Sequence, residues 1–178
     1  LIAELRATLE STADGILVSD LDGAIRGYNH RFAEMWNLPH ELLTQRNDAA
    51  IYAWMYQCVL DTEHYTERLS TITRSPLLEA TDVLVLRTGY VLERVTLPQY
   101  ARGRPIGRVY SYRDITQRLA DEARLQLASK VFESNLDAIF VTDAAHRVIA
   151  VNPSCERLTG YTQAELLDKP SRAFFSDL

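Results

Sequence analysis

Cysteine is scarce in this chain: of 178 residues only Cys58 and Cys155 are cysteines, and they stand far apart. Neither belongs to a Cys-x-x-Cys pair or lies beside paired histidines, which argues against a disulfide framework and a zinc site. No apolar stretch approaches the roughly 20 residues needed to span a bilayer, runs such as Val83 to Leu86 being far shorter, and the N-terminus has no signal-peptide pattern. A soluble, cytoplasmic chain without direct membrane contact is expected. An excess of basic charge is missing as well, with 19 Lys and Arg against 24 Asp and Glu and a net charge of −5. The basic residues are scattered among acidic ones, so no nucleic-acid partner is expected. There is no Gly-x-Ser-x-Gly and no glycine-rich phosphate loop. His30, His40, His64 and His146 show no metal-ligand spacing, and Asp20 and Asp22 fall in a hairpin, where aspartate serves turn chemistry. No catalytic residue and no metal site are expected, and any enzymatic activity would reside in a domain outside these residues.

What is present is an ordinary globular composition, 47% hydrophobic and 24% charged, enough to close a core. The length suits one large domain or two small modules. An internal repeat decides between them. At an offset of 123 residues, Glu10, Ser11, Asp14, Ile16, Val18, Asp20 and Asn29 meet Glu133, Ser134, Asp137, Ile139, Val141, Asp143 and Asn152. With one residue inserted, Glu41-Leu42-Leu43 then meets Glu165-Leu166-Leu167. Both copies run from an amphipathic helix into Asp-x-Ile-x-Val-x-Asp, whose alternation is that of a strand with one buried face. The turn that follows has Asp22-Gly23 in the first copy and His146 at the glycine position of the second, a residue type that tolerates positive φ. Asn29 and Asn152 are then placed to cap a short helix, which Pro153 begins in the second copy.

Beyond this point the copies part. The first continues with short helical segments over Pro39–Leu43 and Asp48–Tyr56 and a longer helix over Asp61–Thr73 that stops before Pro76. Strands are predicted over Glu79–Arg87, Tyr90–Tyr100 and Gly107–Ile115, with turns at Thr88-Gly89 and at Arg102-Gly103-Arg104-Pro105. Two strands, several helices and three strands predict an α+β domain, a five-stranded antiparallel sheet with helices on one face. The expected organisation is a first domain over residues 1–116 with its leading helix, a helical linker over 117–130, and the N-terminal part of a second domain over 131–178. The second copy ends before its three-strand counterpart, so a longer native protein is expected. Its unpaired strand edges would invite swapping or association. In the linker, Leu119, Ala123, Leu127 and Val131 share a helical face.

These residues resemble the PAS domain family. The resemblance rests on Asp14-Gly15-Ile16-Leu17-Val18-Ser19-Asp20-Leu21-Asp22-Gly23, on Tyr28-Asn29 and Phe32, and on Arg113-Asp114-Ile115-Thr116, which looks like the Asp-Ile-Thr ending found before signalling helices. In the second copy it rests on Asn152-Pro153-Ser154 and Thr159-Gly160-Tyr161. It covers nearly the whole chain. It implies the PAS fold and a sensory or regulatory module of a bacterial signalling protein, relaying ligand or conformational state to an output domain such as a histidine kinase, a diguanylate cyclase or a cyclic-di-GMP phosphodiesterase. The alternative is a ligand-free dimerisation module.

Family members often hold a ligand between sheet and helices. Tyr110 and Tyr112 share one face of the last strand, and Trp36, Trp54 and Tyr56 come from the helical region. These five are the candidate lining of a small-molecule pocket, and their other role is simply core. Asp114 and Thr116, at the junction of strand and helix, are the candidate relay, either by bonding to backbone or to an arginine or as a plain helix cap contributing about 1 kcal/mol. The sequence around Cys58 does not resemble that of flavin-binding relatives, and the surroundings of His64 depart from the haem-binding pattern, so neither cofactor is expected and the ligand stays unnamed. A homodimer is expected through the leading helix, with Ile2, Leu5 and Leu9 on one stripe, and through the linker. The same stripe could instead cover the open face of the sheet.

Overall fold

The structure, a computed structural model, describes residues 7–45 and 47–174. The chain divides into two compact units, Leu1–Arg118 and Leu119–Leu178.

The first unit begins with β1 (Gly15–Asp20) and β2 (Ile25–Tyr28). Helices α1 (His30–Met35), α2 (His40–Gln45), α3 (Asp48–Cys58) and α4 (Thr62–Arg74) follow, and then β3 (Ala80–Val85), β4 (Val91–Ala101) and β5 (Arg104–Asp114). The strands form one sheet in the order β2-β1-β5-β4-β3, and every neighbouring pair is antiparallel. First and last strands are thereby neighbours at the centre, so the chain enters and leaves the domain on adjacent strands. Asparagine and aspartate side chains start the helices: Asn29, Asn47 and Asp61 accept from the backbone N–H groups of Phe32, Ala50 and His64.

One sheet face carries the core. Gly15, Leu17 and Ser19 of β1 are buried in alternation with half-buried neighbours, as are Leu92, Arg94 and Thr96 of β4. Against this face lie Phe32 and Trp36, Ile51 and Met55 of α3, and Tyr65 and Ile72 of α4. Burying each such large side chain contributes about 1.5–3 kcal/mol. Gly107 permits a close approach at the centre, since a Cβ there would collide with the Ser19 carbonyl.

The turn before β5 is tighter than expected. Arg102 and Gly103 both have positive φ (50° and 76°), a two-residue turn whose twist matches that of its strands, and β5 starts at Arg104. Pro105 is accepted inside the strand, where the register with β4 shifts between Gln99 and Tyr100.

The linker helix, α5, runs Thr116–Ser134. It exceeds the predicted 117–130 because nothing breaks it before Asn135, whose carboxamide oxygen accepts from the Asp137 N–H.

In the second unit, β6 (Phe140–Thr142) and β7 (Val148–Val151) pair antiparallel, followed by α6 (Pro153–Thr159) and α7 (Gln163–Leu166). Val148, Val151, Cys155 and Leu166 form its buried cluster. His146 has φ 59° in the turn, the left-handed geometry that glycine takes in the first copy.

Candidate functional site: a cavity beside the central strands

A cavity of about 430 Å³ lies between the sheet, α3, α4 and the β1–β2 turn, within the size range of small-molecule sites. Its floor is formed by buried residues of the two central strands: Ser19 of β1, and Arg108 and Tyr110 of β5. Tyr52 of α3 and Leu69 of α4 line its walls, and the exposed Leu21, Asp22, Ala49 and Pro76 form its rim. Antiparallel register sets Ser19 opposite Arg108 and Leu17 opposite Tyr110, so hydroxyl, guanidinium and phenol converge on one surface.

Hydrogen bonds hold the walls. Asp20 Oδ1 accepts from the N–H groups of Asp22 (3.0 Å) and Ala24 (2.9 Å), closing the β1–β2 turn. Burial raises the Asp20 pKa, but the Ala24 N–H, Arg26 and the Asp22 N–H outweigh it and hold the carboxyl below its ordinary value. Asp48 Oδ2 accepts from the Ile25 N–H at 2.8 Å, and the Tyr52 hydroxyl donates to the Gly23 carbonyl at 2.8 Å. Burial pushes the Tyr52 phenol well up, with Tyr110, Asp48 and other neighbours adding to it. Arg108 donates through Nη1 to the Leu78 carbonyl at 2.8 Å and through Nη2 to the Ser75 carbonyl. It thereby ties the end of α4 to the floor.

Farther along the same face lies a buried ion cluster. Asp82 of β3 accepts from Arg68 Nε of α4 at 2.5 Å and from Arg94 Nη2 of β4 at 2.9 Å. Arg94 is fully buried and its Nη1 has no partner. Its guanidinium lies 5.5 Å from the centroid of the Tyr65 ring, within cation–π range. Burial raises the pKa of Asp82, but the two arginines outweigh it and hold the carboxyl below its ordinary value. Burial pushes the Tyr65 phenol up to about 12 against the opposing pull of Arg94.

The five aromatics are brought to different places. Tyr110 lies on the cavity floor. Trp36 and Tyr112 belong to the closed core, packed edge to face at 5.4 Å, with Phe32 5.6 Å from Tyr112. Half-buried Trp54 donates from Nε1 to the Trp36 carbonyl at 2.9 Å. Tyr56 is 45% exposed and borders a surface depression with Thr62 and Thr66. Arg108, Ser19 and Tyr52 were missed by sequence reasoning. The available signal was period two in β5, which sets Arg108 on the face of Tyr110 and Tyr112, but a charged residue there reads as outward-facing.

Asp114 and Thr116 meet at the start of α5. Asp114 Oδ1 accepts from the Thr116 N–H (2.9 Å) and hydroxyl (2.6 Å), and Thr116 Oγ1 accepts from the Val91 N–H of β4 at 2.9 Å. The arginine contact at this junction belongs to the preceding residue, since Arg113 forms a two-pronged pair with Asp14 (3.1 and 2.9 Å). The Asp14 carbonyl in turn accepts from Asn29 Nδ2, which also donates to the Leu9 carbonyl and Thr12 Oγ1. Ile2 and Leu5 lie outside the described residues. Leu9, Leu119, Leu127 and Val131 are exposed.

His64 is exposed and its backbone N–H is capped by Asp61, while burial pushes the half-buried Cys58 thiol up. Among the described residues no helix is long and apolar enough to cross a membrane, and no group of three or more His, Cys, Asp or Glu side chains could hold a metal ion.

A sequence profile described as PAS domain matches residues 3–70 and again residues 123–178. No curated protein sequence matches the chain. Among solved structures, a PAS domain from Colwellia psychrerythraea is similar at 22% identity, covering 66% of this chain and 100% of that one with a TM-score of 0.44. The PAS domain of an HTR-like protein from Haloarcula marismortui has 23% identity, coverage of 64% and 91%, and a TM-score of 0.45. The sensor region of a sensor histidine kinase has 17% identity, coverage of 60% and 41%, and a TM-score of 0.47. The repeat, the sheet order and the profile matched over both copies agree: the chain belongs to the PAS domain family.

Proposed function

We propose that the chain is a cytoplasmic sensory and regulatory module, without catalysis of its own, that binds a small molecule in the cavity beside β5. It relays occupancy through α5 to an output domain, a histidine kinase or a cyclic-di-GMP enzyme. One observation carries this reading. Arg108 and Tyr110 on the cavity floor belong to the strand that ends at Asp114, the carboxylate that caps α5. A ligand that displaces the floor therefore pulls on the cap directly. The Arg113–Asp14 pair extends the same path to the start of β1 and, through Asn29, to the leading helix.

The relay is tested by filling the cavity. Ala49→Trp places an indole at the exposed rim without cutting into the core, and hydrogen exchange is then followed at the first-turn amides of α5. Altered protection there is the expected result, and protection identical to that of the parent chain would overturn the relay.

Dimerisation is the second part of the reading, favoured by the exposed Leu119, Leu125, Leu127 and Val131 of α5. A homodimer joined through this helix and the leading helix would turn a change at the cap into a change of helix pairing.

A further inference from the structure

Arg108 is 4% exposed and lies on the cavity floor. Its guanidinium carries a full charge and five N–H donors, yet its described partners are two backbone carbonyls, those of Leu78 and Ser75. Among the described residues no carboxylate pairs with it. The other buried guanidinium of the sheet face, Arg94, has Asp82 at 2.9 Å. A buried cation is stable when a counter-ion meets it, and carbonyl dipoles supply only part of one.

Three acids line the cavity, Asp20, Asp22 and Asp48, and among the described residues none forms an ion pair with Arg108; Asp22 is exposed at the rim. Asp20 is held by two backbone N–H groups and Arg26, and Asp48 accepts from the Ile25 N–H. The Tyr52 hydroxyl is committed to the Gly23 carbonyl. The hydroxyls of Ser19 and Tyr110 have no partner among the described residues and share the floor with Arg108. The floor is therefore rich in hydrogen-bond donors and its guanidinium has no carboxylate partner among the described residues, while Leu69, Leu21 and Pro76 give the walls and rim an apolar lining.

Resting on the reading of this cavity as a ligand site, we propose that its ligand is a small monocarboxylate with a ring-sized apolar body. The carboxylate lies on the floor as the counter-ion of Arg108 and accepts from the hydroxyls of Ser19 and Tyr110. The apolar body packs between Leu69 and Leu21.

The test titrates the whole 178-residue chain with three probes of one shape, phenylacetate, phenylacetamide and phenethylamine, following backbone amide resonances. Phenylacetate is expected to shift Ser19 and Tyr110 and to bind about tenfold tighter than the neutral amide, the ratio a single charge-assisted hydrogen bond supports. Arg108→Gln should abolish that ratio. Because Arg108 also braces two carbonyls, Tyr110→Phe provides a second variant that leaves the fold intact, and it should weaken phenylacetate several-fold. Equal or tighter binding of phenylacetamide or phenethylamine overturns the anion assignment but leaves the cavity reading standing, as does phenylacetate binding that Tyr110→Phe does not change. If none of the three probes moves the floor amides, the proposal is overturned. If Ala49→Trp then also leaves exchange in α5 unchanged, the reading beneath it falls too.

Discussion

Two arginines on the inner face of the sheet set the chemistry of the interior. Arg94 is fully buried against Asp82, which is shared with Arg68, and removing one partner of such a cluster leaves an uncompensated buried charge. Asp82→Ala should lower unfolding stability by about 3–5 kcal/mol, read from denaturant midpoints. The pH dependence has a definite sign. Asp82 is held below its unfolded value, roughly 3.9, so its stabilisation is present above that pH and is lost as pH falls through the folded value. Asp82→Asn should therefore flatten the acid limb of the stability curve below about pH 4 and leave the neutral and alkaline limbs parallel to those of the parent.

At the alkaline end, Tyr65 is pushed up to about 12 by burial, and Tyr52 and Tyr112 are raised by burial as well. A raised pKa keeps stability intact below the unfolded value near 10 and erodes it as pH rises toward the folded one. These tyrosines should ionise together with unfolding between about pH 10 and 12, seen as a cooperative rise in tyrosinate absorbance coincident with loss of circular dichroism. Titration of all nine tyrosines before unfolding would contradict this.

At the scale of elements, the junction of β5 and α5 depends on a cap bridging two strands and a helix. Asp114→Ala removes the acceptor for both the Thr116 N–H and its hydroxyl, and should lower the melting temperature by an amount matching about 1 kcal/mol. In a protein that joins this chain to the proposed output domain, the same change should also alter output, and unchanged output would confine the cap to stability. Close packing of β1 and β5 is a separate matter. Gly107→Ala forces a methyl into the Ser19 carbonyl and should destabilise by about 1–3 kcal/mol, as overpacking does, measured by chemical denaturation.

At the scale of the whole molecule, the exposed leucines of α5 give the proposed dimer a direct test. Leu125→Glu with Leu127→Glu should convert a dimer to a monomer in light scattering while leaving the α+β circular dichroism in place. A monomeric parent chain at high concentration would remove dimerisation from the reading.

Much of this architecture is local and could be read from the sequence alone. Period-two alternation located the first strand, turn residues between apolar segments placed the other four strands of the first unit, Asn29, Asn152 and Asp61 announced helix starts, and the repeat located the second copy. Such signals depend on neighbouring residues, and backbone geometry turns them into structure without reference to distant parts of the chain. What only the tertiary structure decided is non-local. Arg94 faces inward because the β3–β4 register sets it opposite Asp82. Arg108 does so because carbonyls after α4 receive it, and Tyr110 rather than Tyr112 borders the cavity because the Phe32 and Trp36 rings close the core over Tyr112. A charged side chain is buried only where folding brings partners to it from elsewhere in the chain, and a cavity is what packing leaves unfilled, so neither is written in the spacing of residues along one strand.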